Sequence, residues 1–333
     1  MDSYIRKLVK DAYSIEPCSI EKIKNVYKLQ CVDKSYCLKV INYNFGHFLF
    51  ILAAIKHLQN NGFDRIPEII NTTGGESYIE FQGRYAYMTE WLSCRQCNYD
   101  NPLDLGIAAS KLAELHLKSQ GFCIERGMEP RIGWLKWIDT FSVRIEEIYD
   151  FKRRILAKDR KSEFDKLYLE QMDDLLDTAR NSIINLCNTN YINQMKKEIN
   201  KGGFCHHDYA HHNILIDEKG TTNIIDFDYC ILDTHLHDLS SLIIRRMKNS
   251  RWDINCAVYI MNSYGSIMEI KNIEIPIMAG FMEFPQEYWQ LGIQYYWENK
   301  NWEEEVFLSK LHKVYEDRDE KYDFIQDFKR IIL

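Results

Sequence analysis

One short stretch of the sequence contains residues whose types and spacing could support phosphoryl transfer. Within residues 204–213, Asp208 precedes Asn213 by five positions, and the chain then runs into an apolar strand. A second acidic segment, 223–228, contains Asp226. One carboxylate can accept the proton of an attacking hydroxyl, while an amide oxygen and a second carboxylate can hold Mg²⁺ against nucleotide phosphates. The spacing therefore points to phosphoryl transfer from a nucleotide.

Two other interpretations of this region stay open. Asp and Asn side chains commonly satisfy backbone groups in turns. The histidines could instead assemble a transition-metal site of the kind found in His–Asp metallohydrolases; they are His206, His207, His211, His212, His235 and His237. Those folds are helical around the His–Asp pair, whereas 214–217 and 222–227 have the pattern of strands. We therefore favour phosphoryl transfer.

The composition is that of an ordinary soluble protein with room for two lobes or domains. The chain has 333 residues, of which 46% are hydrophobic and 27% are charged. A net charge of -7 argues against a broad nucleic-acid-binding surface. No apolar run approaches the roughly 20 residues of a membrane span, and the first residues lack the pattern of a secretory signal. We expect synthesis in the cytoplasm and no membrane partner.

Ten cysteines are scattered through the chain. Cys94 and Cys97 have the spacing of metal ligands, but the sequence contains no second pair of this kind to complete a zinc site. Disulfides are typical of small secreted domains, and this chain is not small. We therefore expect free, mostly buried thiols.

The first part of the chain predicts a small antiparallel sheet accompanied by one helix. Strand patterns occur between residues 19 and 41, including 26–31 and 35–41, and again at 68–71, 77–81 and 84–90. A helix is predicted over 48–59, because its apolar residues recur at helical spacing and Gly62 follows its end.

After residue 91 the pattern becomes helical. Helices are predicted over 103–118, 132–157 and 161–187, and from residue 235 to the end of the chain. Strands return only at 214–217 and 222–227, beside the candidate chemical residues. This order predicts an α+β, bilobal fold with a cleft between the lobes. A sheet-rich lobe at 1–91 would precede a helical lobe at 92–333.

The order of these features resembles the protein-kinase-like fold. Lys39 lies on the third predicted strand, upstream of the 206–213 loop and of Asp226. The forms His-x-Asp-x4-Asn and Ile-Asp-Phe-Asp look like the aminoglycoside phosphotransferase and choline kinase branch. Three longer matches look like the CotS-type spore coat proteins of endospore-forming bacteria: His-x-Asp-Tyr-Ala-His-His-Asn, Ile-Asp-Phe-Asp-Tyr-Cys and Leu-Asp-Thr-His-Leu-His-Asp-Leu at 232–239.

The resemblance implies a catalytic or binding role for four residues. Asp208 would be the base that takes the proton of the acceptor hydroxyl. Asn213 and Asp226 would be ligands of Mg²⁺. Lys39 would reach the α- and β-phosphates of ATP.

The resemblance also implies supporting roles. His206 would pack beneath the loop and hold its backbone, and Asp238 would be the buried acid that braces the catalytic loop. The hinge would lie at 89–92, where Glu90 and Leu92 would meet adenine mainly through backbone groups.

The sequence departs from the kinase pattern at two places. The turn near residues 21–25 has no glycine, although glycine allows the backbone to approach a phosphate most closely. The helix after Lys39 has no Asp or Glu between residues 45 and 60, whereas a kinase lysine normally pairs with a helix carboxylate. Either another acid holds Lys39, or Lys39 is free until nucleotide binds.

The resemblance implies a spore-coat-associated, ATP- and Mg²⁺-dependent phosphotransferase acting on a small hydroxyl-bearing molecule, with other coat proteins as further partners. The alternative is a catalytically weak or inactive pseudokinase that serves as a structural coat component. Aromatic residues such as Trp289 and Trp297 could form a wall for a cationic or sugar-like acceptor, although aromatic residues at helical spacing more often belong to the core.

Overall fold

A five-stranded antiparallel sheet forms the first part of the molecule. In the computed structural model, which describes residues 1–248 and 251–332, its strands are β1 (Ser19–Ile23), β2 (Val26–Gln30), β3 (Ser35–Ile41), β4 (Ile79–Phe81) and β5 (Arg84–Glu90), in the order β1-β2-β3-β5-β4. β3 therefore lies inside the sheet. Lys39 of β3 pairs with Val26 on β2 and Tyr87 on β5. Its side chain points to the opposite face from Leu38 and Val40, because strand residues alternate.

Two helices accompany this sheet and join different apolar cores. The sequence analysis did not predict α1 (Asp2–Tyr13), which buries Ile5 and Val9 in one core together with Leu38 of β3. α2 (Phe45–Asn60) begins after Asn44, whose side chain accepts a hydrogen bond from the backbone N–H of His47. The apolar residues of α2 belong to the larger core, which it shares with the helical part of the chain.

α2 is anchored directly beside the segment that carries the candidate chemistry. The ring centroid of Phe50 lies 5.5 Å from that of Phe122 and 6.4 Å from that of Phe204. A ring nitrogen of His57 donates to the backbone oxygen of Gln120 over 3.0 Å. Since Phe204 opens the 204–213 segment, these contacts fix α2 relative to the loop that follows.

The rest of the chain is mostly helical. Its helices are α3 (Pro102–Ser119), α4 (Trp137–Leu156), α5 (Glu163–Glu170), α6 (Met172–Cys187), α7 (Tyr191–Lys201), α8 (His235–Met247), α9 (Ile254–Gly265), α10 (Ile275–Glu283), α11 (Gln286–Gly292), α12 (Glu304–Glu316) and α13 (Arg318–Phe328). A small antiparallel sheet interrupts them, formed by β6 (Arg95–Gln96), β7 (Ile214–Ile216) and β8 (Thr222–Ile224).

The hairpin of β7 and β8 brings the two candidate segments to the same end of the small sheet. Ile214 of β7 pairs with Ile224 of β8. Asn213 precedes one strand and Ile225 follows the other, and the backbone N–H of Ile225 donates to the oxygen of Asn213 over 2.9 Å. Two segments separated by the hairpin therefore meet through the register of one strand pair.

The α+β class, with an antiparallel sheet ahead of a large helical part, is confirmed, but several bounds were wrong. Residues 68–71 do not form a strand. Among them, Ile70 makes a single isolated β-bridge to Met88. The predicted helix at 161–187 is divided into α5 and α6 at Gln171, and the one at 132–157 begins at Trp137. The lobe boundary at residue 91 stays a prediction.

The ten cysteines are all free, as expected, but the expectation that most are buried was wrong. Only Cys97, Cys205 and Cys230 are buried. None of the helices in the described ranges combines the length and apolar character that a membrane crossing requires.

Candidate functional site

Asp238 holds the backbone of the candidate catalytic loop. It lies in the first turn of α8, fully buried, and its carboxylate accepts the backbone N–H of His206 over 2.7 Å and that of His207 over 3.0 Å. Ring nitrogens of His116 and His237 donate to the same carboxylate over 3.3 and 3.1 Å. Burial would raise the pKa of Asp238, but these histidine hydrogen bonds hold it well below its usual range. The loop is therefore tied to α8 by a buried, ionised acid.

The ring of His206 joins the catalytic loop to the second acidic segment. Its Nε2 lies 2.9 Å from the backbone oxygen of Ile225 and donates to it, because a carbonyl can only accept. The ring also packs at 4.8 Å from that of Phe227. Burial lowers the pKa of His206, so the ring is neutral at physiological pH. The predicted position of His206 beneath the loop agrees with these contacts.

Asp226 and Asp228 meet the lysine of β3. The Nζ atom of Lys39 lies 2.5 Å from Asp226 Oδ1 and 2.6 Å from Asp228 Oδ1. Asp226 takes a left-handed backbone with a φ of 81°, and a 3-10 turn, Phe227–Tyr229, follows it. This tight reversal places both carboxylates against one ammonium. The acid missing from α2 is thus replaced by Asp228.

The electrostatics of this cluster keep Lys39 charged. Burial alone would lower the pKa of the Lys39 ammonium, yet its neighbours raise it above its usual range. Burial also raises the phenol pKa of neighbouring Tyr87, so this phenol is neutral. The negative charge that raises the pKa of Lys39 therefore comes from the carboxylates of Asp226 and Asp228. Against the effect of burial, Lys39 lowers the pKa of Asp226. The pKa of Asp228 is raised by burial, which the nearby charge of Asp226 reinforces.

Asn213 is oriented by the residue predicted to be the base. The side-chain nitrogen of Asn213 donates to the backbone oxygen of Asp208 over 2.9 Å and lies 3.3 Å from its Oδ2. These bonds use the nitrogen, so the amide oxygen of Asn213 is the atom that could bind a metal ion. An amide oxygen and the carboxylate of Asp226 are hard oxygen donors of the kind that suits Mg²⁺.

Arg245, which the sequence analysis missed, contacts the candidate base. Its Nη2 donates to Asp208 Oδ1 over 2.7 Å. Arg245 lies on α8, seven residues after Asp238, and therefore on the same helix face two turns further along. That spacing was the available signal. One face of α8 therefore contacts the loop twice. Asp238, in the first turn of the helix, binds the loop backbone, and Arg245, near the end of the helix, binds the carboxylate of Asp208.

Carboxylates of both acidic segments open onto a cavity of about 810 Å³, whereas Lys39 and Asn213 are buried and are not among its lining residues. Asp208, Asp226 and Asp228 line one side of it, and Lys22 and Lys24 line the side formed by the first hairpin. The volume falls in the range of small-ligand sites. The structure therefore brings both acidic segments to one cleft that also receives positive charge from the sheet.

The first hairpin turn, without glycine, reaches the acidic cluster through a side chain. Lys24 takes a positive φ of 56° at the turn, and Asn25 follows it. The amide nitrogen of Asn25 lies 3.3 Å from the backbone oxygen of Val40 and 3.4 Å from Asp228 Oδ2. Hydrogen bonds from Asn25 therefore fix this turn against β3 and Asp228.

The predicted hinge residues lie apart from this cavity. Within the described chain, neither Glu90 nor Leu92 is part of its lining. The side chain of Glu90 is paired with Lys34 at the surface. The backbone N–H of Trp91 donates to the oxygen of Ser35 over 2.9 Å. The Glu90 side chain thus points to solvent, and an adenine contact at the hinge stays a prediction about its backbone.

The histidines do not assemble around Asp208 in the way that a metallohydrolase would need. The rings of His207 and His237 stack with centroids 4.3 Å apart. Two buried groups could bring metal-ligating atoms together among the residues that the structure describes, but neither includes Asp208: His116, Cys205 and Asp238; and Glu198, His235 and Glu274. The contacts of the described residues therefore do not support a metallohydrolase site at Asp208.

Comparison with known sequences identifies relatives over nearly the whole chain. A family described as "Spore coat putative kinase YutH" matches residues 6–328. Spore coat protein S of Bacillus subtilis (strain 168) is 22% identical, covering 98% of this chain and 96% of the relative. The endospore coat-associated protein YutH of the same organism is 21% identical, covering 94% and 89%.

Comparison with solved structures identifies the kinase-like fold. An aminoglycoside phosphotransferase from Alicyclobacillus acidocaldarius superposes with a TM-score of 0.82 at 19% identity, covering 96% of this chain and 93% of that one. Spectinomycin phosphotransferase in complex with ADP and spectinomycin gives 0.68 at 15% identity, covering 99% and 98%. An amicoumacin kinase in complex with AMP-PNP and Ca²⁺ gives 0.67 at 13% identity, covering 98% and 96%.

Proposed function

Because the chain belongs to the spore coat YutH family, whose fold is that of the aminoglycoside phosphotransferases, we propose that it transfers the γ-phosphoryl group of ATP to the hydroxyl of a small molecule. The observation that carries this proposal is the placement of Asp208, Asp226 and Asp228 around one cleft, with Lys39 against the latter two. A set built for turn capping alone would not need a buried ammonium.

Each residue has a part in the proposed reaction. Asn213 and Asp226 would hold Mg²⁺, which supplies neutralisation of phosphate charge. With Asp226 as a ligand of Mg²⁺, the Lys39 ammonium would remain paired with Asp228 and would also contact phosphate oxygens. Asp208 accepts the proton of the acceptor hydroxyl as that oxygen attacks the γ-phosphorus of ATP, and the bond from this phosphorus to the bridging oxygen breaks to release ADP. Catalysis then comes from positioning and charge stabilisation, which is the usual division of labour in phosphoryl transfer.

Two substitutions separate binding from chemistry. Asp226→Asn should weaken Mg²⁺–AMP-PNP binding, because a ligand carboxylate is lost. Asp208→Asn should leave that binding in place and abolish transfer, because the proton acceptor is lost. Binding is measured by thermal shift, where ligand at 100 times its dissociation constant stabilises by about 2.7 kcal/mol, and transfer by ADP release with a panel of hydroxyl compounds. Exposed Asp319→Asn serves as the control.

Activity in both variants equal to that of the parent would refute these roles. No thermal shift with Mg²⁺–AMP-PNP in the parent protein would favour the second candidate, a pseudokinase with a structural role in the coat. Two observations support that candidate: Asn25 already bonds to Asp228, and Lys39 is already neutralised by two carboxylates. In either case we propose cytoplasmic synthesis followed by assembly into the spore coat, with other coat proteins as partners.

A further inference from the structure

A second cavity, of about 310 Å³, lies beside the candidate base. It is lined by the 98–100 loop, by the end of the catalytic loop, by the C-terminal end of α8, and by Lys248 and Arg251. His212 lines both this cavity and the larger cleft, so the two adjoin. Arg245 lines it too and contacts Asp208. A molecule whose hydroxyl reaches Asp208 from the side away from Lys39 would extend into this space.

The lining of this second cavity is strongly basic. Among its described residues, four cationic side chains face one carboxylate, that of Asp100; they are Arg245, Arg246, Lys248 and Arg251. Arg251 Nη1 lies 2.5 Å from Asp100 Oδ1, and Arg246 Nη1 lies 3.8 Å from the same atom. Arg245 is also paired with Asp208, and Lys248 with Glu287. The four cations therefore share three carboxylates, and the positive charge left uncompensated among these residues is that of Arg246.

Two further observations indicate that this charge awaits an acceptor. The Nε of Arg246 is buried and has no hydrogen-bond partner among the described residues, although buried donors are nearly always satisfied. Burial lowers the pKa of His211 on the same wall, and the positive charges of Arg245 and Lys248 lower it further. The chain as a whole carries a net charge of -7, so this basic cavity is a local feature.

The geometry points to an acceptor that carries, besides its hydroxyl, an anionic group, either a carboxylate or a phosphate. Arg246 and Arg251 bind this group in the basic cavity, while the hydroxyl lies at Asp208. This inference rests on the proposed phosphotransferase function and specifies its substrate class. It contradicts the expectation of a cationic acceptor held by aromatic side chains. Neither Trp289 nor Trp297 lines the cavity, and the Trp289 ring is covered by Arg144 at 4.3 Å.

Four probes of similar size test the charge preference. They are glycerate with a carboxylate, glycerol 3-phosphate with a phosphate, neutral glycerol and cationic ethanolamine. Binding is measured calorimetrically with and without Mg²⁺–AMP-PNP, and transfer by ADP release. At least one anionic probe should bind about tenfold or more tighter than both others, since charge-assisted bonds are involved. The ratio between glycerate and glycerol 3-phosphate identifies which anion is preferred.

Variants place the binding in the cavity. Arg246→Gln and Arg251→Gln should each weaken binding of the preferred anion by about tenfold and leave Mg²⁺–AMP-PNP binding unchanged. Asp100→Asn should strengthen it, a gain that a misfolded protein cannot show. Exposed Arg330→Gln is the matched control and should change nothing.

The outcomes distinguish this inference from the proposed function. Nucleotide binding together with preferred transfer to glycerol or ethanolamine overturns the anionic acceptor and keeps the phosphotransferase. Anion binding that is insensitive to Arg246 and Arg251 also overturns the inference. Anion binding at the arginines without any nucleotide binding overturns the phosphotransferase, and the acceptor role with it.

Discussion

At the scale of single residues, the most informative departure from the kinase pattern is the source of the charge that holds Lys39. α2 contains no carboxylate. Its residue His47 contacts the acidic segment through a ring nitrogen that lies 3.3 Å from the backbone oxygen of Asp228. The counter-charge comes from Asp226 and Asp228, two positions apart across a tight reversal. A lysine that shares a metal-ligand carboxylate competes with the metal for it. On the proposed assignment of Asp226 to Mg²⁺, Asp228 would relieve this competition, because it also pairs with Lys39.

The first prediction concerns that competition. In Asp228→Asn, Lys39 should pair with Asp226 alone, so a higher Mg²⁺ concentration is needed to displace it. We expect the half-saturating Mg²⁺ concentration to rise by about tenfold, which corresponds to the loss of one charged contact. Thermal shift across a Mg²⁺ titration at fixed AMP-PNP measures it. An unchanged Mg²⁺ dependence, with Asp217→Asn of the β7–β8 turn as control, would show that Asp228 does not share the lysine.

At the scale of elements, α8 organises the site from one end to the other. Its first turn supplies Asp238 to the loop backbone, and two turns later Arg245 holds the carboxylate of Asp208. Its last residues line the basic cavity. α2, packed through Phe50 against Phe204, supports the same loop from the other side. The loop therefore depends on two helices that are far apart in the sequence.

The second prediction tests the brace at the start of α8. Asp238→Ala removes the acceptor of two backbone N–H groups and the partner of two histidines, all buried. We expect a loss of about 3 kcal/mol or more in the free energy of unfolding, because breaking a buried charged network leaves its partners unpaired. Urea unfolding measures it. Exposed Asp319→Ala should change stability by no more than about 0.5 kcal/mol. If Asp238→Ala lost no more unfolding free energy than Asp319→Ala, Asp238 would not stabilise the loop.

The sequence predicted those parts of the site that depend on local spacing. Asp208 and Asn213 lie in one loop, and Asp226 is joined to them by a short hairpin, so motif and strand pattern sufficed to place them together. The basic cavity could not be predicted, because Asp100, His212 and Arg246 come from three distant segments. The strand expected at 68–71 failed for a related reason: a strand needs a partner of matching length, and only Ile70 finds one.

At the scale of the whole molecule, buried carboxyl groups make stability depend on pH in two opposite directions. Although burial opposes it, His235 and Lys201 lower the pKa of Glu198 to about 2, so its stabilising contribution is present near neutrality and is lost as pH falls toward that value. Asp233 behaves in the opposite way. Burial raises its pKa to about 6, so the folded state binds its proton more tightly than the unfolded chain does.

The last prediction follows from the sign of the Asp233 shift. Between the ordinary pKa of an aspartate, near 4, and about 6, Asp233 ionises in the unfolded chain but keeps its proton in the folded protein. The free energy of unfolding therefore decreases as pH rises through this range. Asp233→Asn cannot ionise. Its amide oxygen can accept from Trp137 Nε1, which donates to Asp233 over 3.1 Å, but the Thr234 N–H, which donates to the other oxygen over 2.8 Å, loses its acceptor at every pH. Relative to the parent, the variant should therefore gain stability between pH 4 and pH 7, by at most about 3 kcal/mol. Urea unfolding at several pH values measures the difference, with exposed Asp319→Asn as control. A difference that stays constant across this range would mean that Asp233 titrates alike in the folded and unfolded chains, and that its burial carries no charge penalty.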